Sequence, residues 1–159
     1  MKALVVYDSV FGNTEKVAQT IGEALAEYGE DEVRKVGSVQ PAQLTGLDLL
    51  IVGSPTRAFS PTPDTKQFLS SIPAGSLQGV TVAAFDTRIA VEDTNSAILK
   101  FFVKIFGYAA KPIATRLERR GGELAVPPEG FIVEGTEGPM KEGELARATQ
   151  WAKGIANAL

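Results

Sequence analysis

The chain has 159 residues, of which 44% are hydrophobic and 22% are charged, a composition typical of one globular domain with a full core. Its formal charge of −3 and its scattered basic residues argue against binding to nucleic acid or to an anionic membrane. Cysteine and histidine are both absent, which excludes disulfides, thiolate nucleophiles and imidazole acid–base chemistry. Demanding chemistry in this chain would therefore depend on a cofactor.

The sequence carries no targeting or membrane-spanning pattern. No stretch approaches the roughly 20 consecutive apolar residues that a membrane span needs. The first predicted strand begins at Lys2, which leaves no room for a signal peptide. We therefore expect a single domain over residues 1–159, without a membrane span and located in the cytoplasm.

Strands and helices alternate along the first half of the chain. An apolar run predicts a strand over Lys2–Tyr7, and apolar residues at every fourth position then predict a helix that ends at Tyr28-Gly29. Polar and apolar residues alternate over 32–36, as in an edge strand. The apolar run 48–53 predicts a central strand buried on both faces, and a helix follows over 64–72.

The same alternation continues in the second half. The sequence predicts a third buried strand over 80–85, a helix over 109–120 and a strand over 123–134 that is interrupted at Pro127-Pro128. Apolar residues at helical spacing predict a last helix over 142–159 that packs on the sheet. Strands that alternate with helices predict a doubly wound α/β fold, with helices on both faces of a parallel sheet.

Three polar loops follow predicted strands, at residues 8–14, 54–61 and 86–90. The carboxyl ends of parallel strands meet at one edge of a doubly wound sheet, and ligands bind in the crevice beyond that edge. The three loops are therefore predicted to form one ligand site.

The first loop has hydroxyl and amide side chains but a single glycine, Gly12. A Walker-type loop needs several glycines and a Gly-Lys-Ser/Thr ending, and a dinucleotide fingerprint needs three spaced glycines; the loop has neither. Its hydroxyls and the N–H groups of a helix start, with no cation before Lys16, suit one terminal phosphate. The alternative is that Ser9, Asn13 and Thr14 only cap the helix and form a turn.

Together the three loops resemble those of the flavodoxin family, and the match covers almost the whole chain. The stretch "SVFGNT" resembles the family's S/T-x-T-G-N-T phosphate signature, with Phe11 where threonine is usual. The stretch "GSPTRAFSPTP" resembles a loop beside the flavin ring, and "AAFDTR" lies where the second ring-contacting loop belongs. The resemblance implies a three-layer, five-stranded parallel sheet with strand order 2-1-3-4-5, and noncovalently bound FMN that transfers electrons.

The resemblance also implies three groups of FMN contacts. The ribityl phosphate would be held by Ser9, Val10, Phe11, Gly12, Asn13 and Thr14. One side of the isoalloxazine ring would be lined by Pro55, Thr56, Arg57, Ala58 and Phe59. The pyrimidine end of the ring would be approached by Asp86, Thr87 and Arg88.

The aromatic residues depart from the family's pattern. Typical flavodoxins clamp the flavin between two aromatic rings, whereas only Phe59 is aromatic in the loops matched to the ring. The single tryptophan, Trp151, lies beside the apolar stripe of the last helix, and we predict that it packs in the interior. Tyr7, at the end of the first strand, is likewise predicted to belong to the core.

The charge near the predicted ring is a second departure. Low-potential flavodoxins surround the flavin with acidic side chains, whereas Arg57 and Arg88 flank the ring here. A cation near the reduced, anionic flavin stabilises it, so we expect a less negative potential than in acidic flavodoxins. The alternative is that both arginines point to solvent, or that Arg88 pairs with Asp86.

The strongly apolar segment 91–107 is longer than the usual connection at this place. Because the helix over 109–120 already supplies the crossover, we predict that segment 91–107 forms a lid over the ring or a homodimer contact. The alternative is a helix of the core.

Three functions fit these features. The first is an FMN-binding electron carrier that serves redox partner proteins, and the second is an FMN-dependent NAD(P)H or quinone oxidoreductase. The third is an interaction domain that keeps the fold without the flavin. Asp86 is the only carboxylate well placed to deliver a proton, although a turn-capping role is the alternative for it.

Overall fold

The computed structural model describes residues 1–90, 97, 98, 100, 101 and 107–159. Within these residues the strands are β1 (Lys2–Tyr7), β2 (Glu30–Lys35), β3 (Leu49–Pro55), β4 (Thr81–Ile89), β5 (Glu123–Leu124) and β6 (Glu129–Val133). They form one parallel sheet in the order β2-β1-β3-β4-β5, and β6 also pairs with β4. The predicted α/β fold and the strand order 2-1-3-4-5 are confirmed.

Helices cover both faces of the sheet. Outside segment 91–107 the α-helices of the described chain are α1 (Asn13–Leu25), α2 (Pro63–Ser71), α3 (Ala110–Arg119) and α4 (Glu144–Asn157). Each of them corresponds to a predicted helix. The first was predicted to end at Tyr28-Gly29, whereas α1 ends at Leu25 and a 3-10 helix follows over Ala26–Tyr28. The bounds of the other three differ from the prediction by two residues at most. None of these helices has both the length and the apolar character that crossing a membrane requires.

The side chains of the central strands feed two separate cores. Ile51 of β3 packs into the core beneath α1 and α4, and its neighbour Val52 packs into the core beneath α2 and α3. Both side chains are fully buried. Because successive side chains of a strand point to opposite faces, a strand covered on both sides must be apolar throughout. The apolar residues 49–52 of the predicted strand 48–53 therefore mark the middle of three layers.

The predicted last strand is divided into two short strands. β5 pairs with Thr81 and Val82 at the start of β4, and β6 pairs with the end of the same strand. The predicted interruption at Pro127-Pro128 is confirmed, because both prolines lie between β5 and β6. A proline has no N–H group to donate to a ladder, so the pairing breaks there.

The prediction that residues 86–90 form a polar loop is wrong for residues 86–89, which belong to a strand. β4 continues to Ile89, and its residues Phe85–Ile89 pair in register with Glu129–Val133 of β6. Asp86, Thr87 and Arg88 therefore lie on a strand, because β6 provides hydrogen-bonding partners for the backbone in this part of β4.

The predictions for Trp151 and Tyr7 are confirmed. The Trp151 ring packs edge-on against Phe85 and Phe131, with centroid distances of 6.2 and 5.9 Å. Tyr7 is buried in the same core, and its hydroxyl donates to Glu15 Oε1 over 3.2 Å. Neither ring belongs to the loops that were matched to the flavin.

Most of segment 91–107 lies outside the described residues. Of its described members, Ile98 and Phe101 are both more than half exposed, at 70% and 58%. The lid and the homodimer contact assigned to this segment stay predictions.

Candidate functional site

The first loop connects β1 to α1 and is held by a serine. Ser9 Oγ accepts hydrogen bonds from the backbone N–H of Gly12 at 3.1 Å and of Glu15 at 3.4 Å. Gly12 precedes the helix with φ +90°, a conformation that side chains with a Cβ rarely adopt. This turn directs the start of α1 towards the carboxyl edge of the sheet.

The start of α1 leaves donors without acceptors. The backbone N–H groups of Asn13 and Thr14, in the first helical turn, have no acceptor among the described residues. The side chains of these two residues are held by β4 and by the segment after β6: Thr14 Oγ1 lies 2.7 Å from Thr87 Oγ1, and Asn13 Nδ2 donates to the Glu137 carbonyl over 3.1 Å. The helix start therefore offers N–H groups, in a rigid setting, to an anion.

The second loop forms a tight turn after β3. The backbone N–H groups of Arg57 and Ser60 each donate to the other residue's carbonyl, over 2.8 and 3.0 Å. The two central residues, Ala58 and Phe59, have φ values of +48° and +67°. Turns of this geometry normally carry Gly or Asn, so this turn is strained. The Arg57 guanidinium lies 5.8 Å from the centroid of the Phe11 ring, which brings the second loop against the first.

A buried polar network joins the first two loops. Thr62 Oγ1 donates to Asp8 Oδ2 over 2.5 Å and also accepts the N–H of Thr65, so it caps α2. The Thr62 N–H in turn donates to Ser54 Oγ over 3.0 Å. Sequence reasoning did not single out this network, although a threonine directly before Pro63 and a helical pattern is an N-cap signal.

The end of β4 carries a buried ion pair. Asp86 is fully buried, and its carboxylate accepts from Arg88 Nε at 2.6 Å, from Arg88 Nη2 at 2.7 Å and from the Ala110 N–H at 2.8 Å. Burial raises the pKa of Asp86, although the hydrogen bonds and charge of Arg88 oppose that rise. The Arg88 guanidinium also lies 3.7 Å from the centroid of the Tyr108 ring. The alternative in which Arg88 pairs with Asp86 is therefore the one that the structure shows.

These loops surround one cleft of about 290 Å³ at the carboxyl edge of the sheet. All the predicted site residues line it except Gly12, Phe59 and Asp86. Gly12 provides the positive φ of the first loop, Phe59 lines a neighbouring cavity, and Asp86 is fully buried and paired with Arg88. The cleft is lined by Ser9, Val10, Phe11, Asn13, Thr14, Pro55, Thr56, Arg57, Ala58, Thr87, Arg88, Ile89, Val133 and Thr136.

Three of the lining residues were missed by sequence reasoning: Ile89, Val133 and Thr136. Ile89 was placed in a loop when it ends a strand, and Val133 ends β6 beside it. These residues could have been predicted from the topology, because the last parallel strand also ends at the edge of the sheet where the ligand binds.

The chemistry of the cleft suits a phosphate-bearing ligand. Its described lining residues include hydroxyls, unsatisfied N–H groups at a helix start and two arginines, and none of them has a carboxylate. Anions bind such helix starts because the N–H groups and the helix dipole both favour negative charge. The fold and the cleft together define a nucleotide-binding protein of the doubly wound class.

Comparison with known proteins gives the family. A family model described as a flavodoxin domain matches residues 4–104 of this chain. A protein of Geotalea daltonii named NAD(P)H dehydrogenase (quinone) is 26% identical, over 99% of this chain and 96% of its own length. A probable flavodoxin 1 of Bacillus subtilis is 30% identical, over 53% of this chain and 54% of its own length.

Solved structures agree on the fold. Oxidised flavodoxin 1 from Bacillus cereus superposes with a TM-score of 0.78 at 19% identity, covering 100% of this chain and 99% of its own. The chain belongs to the flavodoxin family, as its three loops predicted, and FMN is the cofactor of that family.

Proposed function

We propose that this protein transfers electrons through FMN held in the cleft between the first two loops and the end of β4. The observation that carries the proposal is the start of α1, where the N–H groups of Asn13 and Thr14 lack acceptors among the described residues. They lie at a cleft whose described lining residues include no carboxylate. FMN, when bound, accepts and donates electrons in steps of one or two. The family membership supports the same cofactor.

The chain's residues would divide the binding between phosphate and ring. The N–H groups of Asn13 and Thr14 and the Ser9 hydroxyl would hold the phosphate, which needs no neutralising lysine because the helix dipole and several hydrogen bonds share its charge. Pro55, Thr56, Arg57 and Ala58 on one side, and Thr87 and Arg88 on the other, would line the ring.

The two arginines of the cleft would act differently on a bound ring. The charge of Arg88 is balanced by the Asp86 carboxylate, which takes two hydrogen bonds from it. Arg57 is exposed and forms no ion pair with the described residues. The sequence assigns the stabilisation of a negatively charged, reduced ring to both arginines. With the charge of Arg88 balanced, we assign it to Arg57 alone.

An apolar rim supports electron transfer to a partner protein. Val10, Phe11 and Ile89 line the cleft and remain 51%, 45% and 40% exposed. Exposed apolar residues that surround a redox site provide a docking surface for short-lived complexes. This rim favours an electron carrier, which must present its cofactor to other proteins.

Electron transfer to a protein acceptor tests the proposal. The FMN-loaded protein, reduced chemically under anaerobic conditions, should reduce ferricytochrome c, a basic acceptor. The Ile89→Lys variant should slow this reaction by about tenfold at low salt, because it places a like charge at the rim. Leu159→Lys is the matched control, since Leu159 is 53% exposed at the far end of the chain. Equal slowing in both variants, or no reduction by the wild type, would contradict the proposal.

A second candidate function is an FMN-dependent oxidoreductase that takes electrons from NAD(P)H. The Geotalea daltonii relative, which aligns over nearly its full length, carries that activity in its name. A carrier and an oxidoreductase would share the same FMN cleft and differ in the electron donor. The oxidoreductase therefore requires a second binding site, for a pyridine nucleotide or a quinone. The cytoplasmic location expected from the sequence stays a prediction for both functions.

A further inference from the structure

A second cavity lies on the other side of the Arg57–Ser60 turn. It has a volume of about 480 Å³, and we call it the basic pocket. Ala58 lines both the basic pocket and the FMN cleft, so a single β-turn separates the two. The basic pocket is lined by Ala58, Phe59, Ser60, Pro61, Lys66, Pro112 and Arg116.

Two cationic side chains line the basic pocket. Lys66 belongs to α2 and Arg116 to α3, and Arg116 Nη1 lies 3.5 Å from the Lys66 carbonyl oxygen. Both side chains are half-buried, and the ion pairs of the described residues include neither of them. Among the lining residues that the structure describes, none has a carboxylate. An anion bound in the pocket would be stabilised by both positive charges.

The other lining residues indicate what kind of anion fits. The planar guanidinium of Arg116 can donate two parallel hydrogen bonds to a phosphate, and the ammonium of Lys66 adds a compact charge. The Ser60 hydroxyl provides a further polar group, and Pro61 and Pro112 form an apolar wall. A site that binds a phosphorylated nucleotide needs hydrogen-bond donors for the phosphate and an apolar surface for the rest of the molecule, and the basic pocket has both.

We propose that the basic pocket binds a phosphate group of a pyridine nucleotide, NADPH or NADH, whose other end reaches the FMN cleft. The proposal rests on the second candidate function, because a carrier reduced by a protein has no use for this site. A dinucleotide is an elongated molecule with phosphates in its middle and, in NADPH, at its adenosine end. Such a ligand can span one β-turn and place different groups in the two cavities.

Binding measurements on a charge-matched pair of variants test the proposal. Lys66→Gln/Arg116→Gln removes both cations of the basic pocket, and Lys35→Gln/Arg119→Gln removes the same charge at exposed positions outside it. The FMN-loaded proteins are first reduced chemically under anaerobic conditions, so that NADPH can bind without transferring a hydride. Calorimetric titration with NADPH should then give a dissociation constant raised by about tenfold or more in the first variant, since one charged hydrogen bond contributes about tenfold in affinity. The second variant should stay within about twofold of the wild type.

Further titrations distinguish the phosphate that the pocket holds. A loss of affinity for NADPH alone would assign the 2′-phosphate to the pocket, and an equal loss for NADH would assign the pyrophosphate; both support the proposal. Equal affinities of the two variants for NADPH, or no binding to the wild type, would overturn it. Titration with FMN keeps the functions apart, because FMN affinity should be unchanged in the Lys66→Gln/Arg116→Gln variant. If NADPH reduces the flavin equally fast in that variant and in the wild type, the oxidoreductase function is supported, but the assignment of the NADPH site to the basic pocket is wrong.

Discussion

Two residues of the second loop adopt a backbone conformation that their side chains disfavour. Ala58 and Phe59 both have positive φ values, and they are the only non-glycine residues of the described chain that do. A left-handed conformation costs a residue with a Cβ roughly 1–2 kcal/mol. The strain lies in the wall between the FMN cleft and the basic pocket, a place where backbone strain is often associated with function.

Replacing Ala58 with glycine should therefore stabilise the protein. Ala58→Gly removes the steric cost but increases the freedom of the unfolded chain, so we expect a net gain of about 0.5–1 kcal/mol in the free energy of unfolding. Urea unfolding of the flavin-free protein measures this change in the free energy of unfolding. Ala42→Gly is the control, because Ala42 is also exposed but has an ordinary φ and should lose stability when replaced. A loss of stability in both variants would show that the turn is not strained.

At the scale of elements, the first turn of α4 is tied to β6 by a charged cluster. Glu144 Oε2 accepts from the Ile132 N–H over 2.7 Å, and the same carboxylate accepts two hydrogen bonds from Arg147. Arg147 also pairs with Glu129 of β6 over 3.1 Å and lies 4.6 Å from the centroid of the Phe131 ring. This cluster fixes β6, which supplies Val133 to the cleft, against the helical layer.

The cluster should make stability depend on pH. The hydrogen bonds of Arg147, opposed by burial and assisted by the Ile132 N–H, lower the pKa of Glu144 in the folded state. A carboxyl group with a lowered pKa stabilises the fold above its unfolded pKa, about 4.3, and that contribution is lost as the pH falls through the folded value.

Glu144→Gln should destabilise the protein by about 1–3 kcal/mol at neutral pH, and the difference from the wild type should shrink as the pH falls below about 4. Urea unfolding across this pH range measures the difference. Glu142→Gln is the matched control, because Glu142 is exposed just before the same helix and forms no ion pair with the described residues. A difference between Glu144→Gln and wild type that does not change with pH would contradict the assignment.

At the scale of the whole molecule, one sheet separates two cores and positions the first two loops and the end of β4 around the cleft. The core beneath α1 and α4 includes Val17, and the core beneath α2 and α3 includes Leu69, so each face of the sheet is closed by its own helices. β4 takes part in both cores and also carries Thr87 and Arg88 to the cleft. We expect the chain to unfold as one cooperative domain for this reason.

The sequence predicted what depends on local patterns. The order of strands and helices follows from hydrophobic periodicity, and the fold and strand order were confirmed. The phosphate-binding role of the first loop stays a prediction. The extension of β4 could not be predicted in this way, because residues 85–89 pair with residues 129–133, far along the chain. The pairing of Arg88 with Asp86 had a local signal, since residues two apart on a strand share a face.

The cleft itself was predicted less completely than the fold. Ser9, Thr14 and Arg57 were identified because polar loops after parallel strands converge at one edge. The basic pocket was not identified, because Lys66 and Arg116 lie on two helices and come together only when both pack on the same face of the sheet. Proximity of that kind has no signature in the order of residues.

The affinity of the protein for FMN compared with riboflavin tests the central claim most directly. The two ligands share the ring and differ only in the phosphate, which we assign to the N–H groups at the start of α1. Quenching of flavin fluorescence should show that FMN binds about 100-fold more tightly or better, because several charge-assisted hydrogen bonds are made to the phosphate alone. Equal affinity for FMN and riboflavin, or binding of neither, would contradict the account.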